Sequence, residues 1–99
     1  MASFNIKKLE DSVVSMARKI GYVIIDTKSN EEYNLVRKLT GNNYPRFHIY
    51  VKPGITWNFS LHLDQKKPIY GAKGVHAHNG EYFGPIIDSE TDRIKSLLQ

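Results

Sequence analysis

The sequence predicts an α+β fold: a small antiparallel sheet centred on a 46–64 hairpin, with one face covered by three helices. Three observations predict it. Residues 46–51 and 55–64 alternate apolar and polar side chains, segments with helical spacing flank them, and the order of elements is mixed rather than repeating. A chain of 99 residues with 40% hydrophobic content suits one core, so residues 1–99 are expected to form a single domain.

The first expected element is a helix capped by Asn5. Ile6, Leu9, Val13, Met16, Ala17 and Ile20 recur at helical spacing, and Gly21 stands where a left-handed terminus favours glycine. "YVIID" (22–26) is short and β-branched and predicts a strand. A second helix is expected from Ser29. Ser29 and Glu32 match a capping box, Tyr33, Val36 and Leu39 give an apolar stripe, and Gly41 ends it.

The hairpin is the clearest pattern. Phe47, Ile49 and Val51 alternate with Arg46, His48 and Tyr50, and Ile55, Trp57, Phe59, Leu61 and Leu63 alternate with Thr56, Asn58, Ser60, His62 and Asp64. Strict alternation buries one face and leaves the other polar. To keep Val51 on the face of Ile55 and Trp57, the loop through Lys52-Pro53-Gly54 must be odd in length. Three residues pair His48 with Asn58; five pair it with Ser60. Residues 65–87 are broken by Pro68, Gly71, Gly74, Gly80, Gly84 and Pro85, and their order is not legible. A last helix is expected with Ser89 as its cap, Asp92 as partner, Ile94, Leu97 and Leu98 as its apolar side, and Ile86 and Ile87 packed at its entry.

Composition narrows function. Without cysteine there is neither a disulfide nor a thiolate metal site. No apolar run nears the roughly 18 residues of a membrane span, and the N-terminus lacks a signal-peptide layout, so a cytoplasmic protein without membrane contact is expected. The formal charge is +4. Residues 41–80 carry it, with Arg46, Lys52, Lys66, Lys67 and Lys73 against Asp64 alone. A basic middle favours an anionic partner.

The candidate chemistry lies on the polar strand face and in "GVHAHNGEY" (74–82). His62 and Asp64, two apart on a strand, point the same way. If the glycine-rich segment crosses that face, His78 and Glu81 meet them, giving His62, Asp64, His78 and Glu81 as catalytic candidates. His62, Asp64, His76 and His78 offer imidazole and carboxylate donors of the kind that hold zinc or manganese. The plainer alternative is solvated histidines and a surface ion pair of small value. Arg46, His48, Tyr50, Lys52, Lys66, Lys67 and Lys73 form the candidate nucleic-acid contact, because aromatics on a sheet with a basic rim stack bases and hold phosphates. His76-Ala77-His78 also resembles the histidine pair of rolling-circle endonucleases, but Tyr82 follows too closely, beside Gly80 and Gly84, to lie on the helix those enzymes use.

"RFHIYV", "LHLDQKKPIY" and "HNGEYFGP" together resemble a type of small prokaryotic and archaeal-virus protein, including proteins of crenarchaeal filamentous viruses. The resemblance covers residues 46–94 and brings no activity with it. It singles out His48, His62, Asp64, His78, Glu81 and Tyr82, and it implies a host cytoplasm as the setting. Three functions follow as expectations. The first is a nucleic-acid-associated protein without a cofactor. The second is a hydrolase or nuclease built on histidine and aspartate, with or without a divalent metal. The third is a homodimeric interaction module paired through an edge strand.

Overall fold

In a computed structural model, residues 2–7, 9–65, 80–81 and 84–99 are described. The elements run β1 (Ala2–Lys7), α1 (Val13–Ile20), β2 (Val23–Thr27), β3 (Tyr33–Lys38), β4 (Arg46–Lys52), β5 (Thr56–Asp64), β6 (Gly80–Glu81) and α2 (Pro85–Leu98). The sheet has the order β1-β5-β4-β3-β2, and β6 adds to β5 beyond the end of β1. Every pairing is antiparallel. The α+β class stands, with two helices among the described residues rather than three.

The alternation in β4 and β5 does what its period requires. Phe47, Ile49 and Val51 face Leu63, Leu61 and Phe59 across the ladder, and all six are buried. Phe4 and Ile6 of β1 extend this surface, with the Phe4 and Phe59 rings stacked at 5.0 Å. Leu35 continues it into β3. Met16, Ala17 and Ile20 of α1 and Ile87 and Ile94 of α2 close over it to form one core.

Several expectations are corrected. Asn5 does not cap a helix: Phe4 and Ile6 alternate as a strand on β5, and Ser12 caps α1, its hydroxyl accepting from the Ser15 amide at 3.1 Å. The predicted second helix is strand β3. Burying Leu35 on one face and Asn34 and Val36 on the other between two strands outweighs a capping box in a segment rich in β-branched and aromatic residues. The hairpin loop is odd in length, as parity demands, but the strands pair two residues further along than the longer of the two registers considered, with His48 opposite His62 rather than Ser60 or Asn58. Ile55, expected in the core, therefore sits at the tip and is 94% exposed. The last helix starts at Pro85, not at Ser89, and Gly84 precedes it at a φ of 110° without a side-chain cap. Ile87 and Ile94 enter the core, while Ile86 and Leu97 face outward. Gly21 does end α1, at a φ of 81°.

The helices are tied to the sheet by one buried carboxylate. Glu90 of α2 accepts from the Tyr22 hydroxyl at 2.6 Å and from Arg93 at 2.7 and 2.9 Å, and Arg37 of β3 lies 3.5 Å away. Arg93 also donates to the Ile20 carbonyl at 2.6 Å, satisfying a group that the end of α1 leaves open. No helix among the described residues is long and apolar enough to cross a membrane.

Two outcomes test this packing. Ile49→Ala should cost about 2–5 kcal/mol in denaturant unfolding, whereas Ile55→Ala should stay within about 0.5 kcal/mol; equal effects would reject the register. Burial first, and then the hydrogen bond to Glu90, push the Tyr22 phenol well above its ordinary value. A raised folded value means this stabilisation is present below the unfolded value, near pH 10, and is lost as pH rises toward the folded one. Ultraviolet titration of the six tyrosines should show one that stays protonated until the chain unfolds, and Tyr22→Phe should remove that late step.

Candidate functional site

The register that buries Phe47 and Leu63 places His48 against His62 and Arg46 against Asp64 on the opposite face. The ladder thus brings four polar residues from two interior strands into one group. His62 Nε2 lies 2.9 Å from Asp64 Oδ1, and His48 Nδ1 lies 3.3 Å from Asp64 Oδ2. Arg46 Nε donates to the same Oδ2 at 3.3 Å. The imidazole planes are tilted, with centroids 4.7 Å apart, and the Tyr50 ring lies 4.7 Å from His48 and 5.7 Å from His62.

The group is largely withdrawn from water. The side chains of His62, His48 and Asp64 keep 7%, 12% and 21% of their exposure. Burial by itself pushes the Asp64 carboxyl up, but hydrogen bonds from His48 and His62 and their charge outweigh it and hold the group well below the usual carboxylate range. Asp64 is therefore an anion at neutral pH, and it orients both rings. A proton on His48 Nδ1 and one on His62 Nε2 make both contacts hydrogen bonds to a carboxylate, which fixes the tautomers. In the neutral ring this leaves His48 Nε2 as the acceptor nitrogen. That atom is buried and has no hydrogen-bond partner among the described residues.

Among the described residues, His48, His62 and Asp64 are the one group of histidine and carboxylate donors close enough to share an ion, with ligand atoms all within 4.8 Å of one another. Of the expected catalytic set, His62 and Asp64 meet. Glu81 is described by its backbone alone, opposite Leu63. His76 and His78, along with Lys66, Lys67, Lys73 and Tyr82, lie outside the described residues. His48 was expected in the nucleic-acid contact and not in the catalytic or metal set, yet it joins His62 and Asp64. Its signal was the shared parity of positions 48, 62 and 64, with the hairpin slid two residues further. Lys52 is exposed opposite Asn58, and Lys28 Nζ stands 5.7 Å from the centre of the Tyr50 ring.

Carbon-detected NMR of the Asp64 carboxyl tests this wiring. In the native chain it should stay ionised below the ordinary carboxylate range. A folded value depressed in this way stabilises the protein above the unfolded value, near pH 4, and the contribution fades as pH falls below it. His48→Ala and His62→Ala should each move the titration upward, because burial then acts with less opposition. An unchanged midpoint in both variants would show that the imidazoles do not hold the carboxylate.

No family model, curated protein or solved structure matches this chain, so what it does rests on the chemistry of these side chains.

Proposed function

We propose that the polar sheet face engages nucleic acid and that His48, Asp64 and His62 form an acid–base centre directed at its phosphodiester. One observation carries the reading: a single low-lying carboxylate anchors both imidazoles, leaving His48 Nε2 as a buried acceptor without a partner among the described residues. A buried acceptor left unpaired costs roughly 1–3 kcal/mol, so its persistence calls for a reason other than stability. An anchored imidazole with a free acceptor nitrogen is the arrangement a general base requires. That nitrogen is covered, so substrate reaches it only where the cover opens.

The chemistry balances without a cofactor. His48 Nε2 takes the proton of the attacking oxygen, either a water or a ribose hydroxyl, and that oxygen forms a bond to phosphorus. The bond from phosphorus to the leaving oxygen breaks, and an imidazolium returns a proton to that oxygen. Asp64 stabilises whichever ring is positive, as an oriented carboxylate does beside a catalytic histidine. The anionic substrate is favoured by the formal charge of +4 and by Lys28, Arg46 and Lys52 around this face.

Labelled RNA and DNA oligonucleotides, with EDTA present, test both halves. Binding should weaken steeply between about 50 and 200 mM salt, and Lys52→Ala should lower the salt slope by about one. Cleavage should fall by about 10²–10⁴ in His48→Ala while the variant still binds. Salt-insensitive association would favour a dimer contact instead, and binding without any cleavage of either polymer would reject the acid–base centre.

A further inference from the structure

We propose that His48 Nδ1, His62 Nε2 and one oxygen of Asp64 form a binding site for a divalent transition-metal ion. The three donors converge on one point from two neighbouring strands. An ion with bonds near 2.0–2.2 Å in a tetrahedral shell separates its ligands by about 3.3–3.6 Å. His62 Nε2 lies 2.9 Å from Asp64 Oδ1 and His48 Nδ1 lies 3.3 Å from Asp64 Oδ2, and one donor atom from each of the three residues lies within 4.8 Å of the others, so the donors stand near that spacing. The imidazole nitrogens that would bind the ion are the ones that now meet the Asp64 carboxylate.

The donor set selects the kind of ion. Two imidazoles and a single carboxylate suit zinc, nickel or copper, whereas magnesium and calcium favour oxygen ligands throughout. Arg46 strengthens this preference. Its guanidinium holds Asp64 Oδ2 at 3.3 Å, which leaves Oδ1, beside His62, as the oxygen for the ion and adds a positive charge that an incoming dication must overcome. Only strong imidazole ligation offsets that charge. Three protein ligands leave a fourth position for water or an anionic ligand. The ring of Tyr50 packs against both histidines and limits their rotation, so the ligands are held before the ion arrives.

Binding does not depend on the phosphodiester reading. The effect of the ion on cleavage does: the ion takes the positions of the protons that join the rings to Asp64, so zinc would inhibit a cofactor-free acid–base centre.

Zinc and cobalt(II) titrations of metal-stripped full-length protein test the site without nucleic acid. Zinc should bind at one equivalent, magnesium should not compete, and cobalt should give the intense visible bands of a four-coordinate ion. His62→Ala and Asp64→Ala should each weaken zinc by at least about 100-fold, more than the loss from an outer-shell partner. If either variant fails to fold, nitrogen-15 NMR of the native imidazoles decides, because zinc should shift Nδ1 of His48 and Nε2 of His62. Zinc binding that leaves both nitrogens unshifted, or that survives in folded variants at native strength, places the ion elsewhere and overturns the proposal. So does an absence of zinc binding. Cleavage in EDTA, measured separately, reports on the phosphodiester reading alone.

Discussion

The pairing of β4 with β5 is the constraint on which both faces of this protein depend. Because strand side chains alternate, one register assigns every residue of the two strands to a side. The register that sets Ile49 against Leu61 sets His48 against His62, and the one that sets Phe47 against Leu63 leaves Arg46 facing Asp64. A slip of one residue would drive the imidazoles and carboxylate into the apolar layer and carry Phe59 and Leu61 into water. The hydrophobic effect therefore enforces the geometry of the polar group. Burying several large side chains, at roughly 1.5–3 kcal/mol each, holds in place a cluster that has little cohesive energy of its own.

The two sides of the sheet each withdraw a carboxylate from water, and the difference between them is instructive. Glu90 is met by Arg93, Arg37 and the Tyr22 hydroxyl. Two of these donors are permanently charged, and burial keeps the third protonated. It links α2 to β3, to Tyr22 and to the end of α1. Asp64 is met by Arg46 and by two imidazoles, whose protons can leave or move between nitrogens. A guanidinium shell fastens a fold; an imidazole shell can exchange a proton with a ligand.

Much of the fold was legible in the sequence, and the losses have physical causes. Residues 46–64 announced their period because both faces are specialised, and Gly21 marked a helix end because only a residue tolerant of positive φ fits there. The Ser29–Glu32 pair misled because local capping chemistry says nothing about whether two strands wait on either side. Leu35 is buried and unremarked in a helical stripe, yet it is central once β2 and β4 flank it. Ile6 was absorbed into helical spacing and Phe4 passed unremarked, since a strand of six residues carries only three inward positions, here Ala2, Phe4 and Ile6. At the site, parity alone put His48, His62 and Asp64 on one face. Their contact required the exact register, which depends on how far the chain runs past Pro53 and Gly54 before it turns back, and turn length is weakly encoded there.

What the sheet supplies to the group is restraint rather than attraction. β4 and β5 are both interior strands, each hydrogen-bonded on two sides, so His48, His62 and Asp64 inherit backbones with little freedom. Tyr50 then fills the space beside both rings. A loop could bring the same three side chains together, but it would have to spend conformational entropy each time it did so. Here that entropy was lost when the core formed. The donors meet with no ligand present because the residues between them in sequence, Phe47, Ile49, Val51, Phe59, Leu61 and Leu63, have no other place to go.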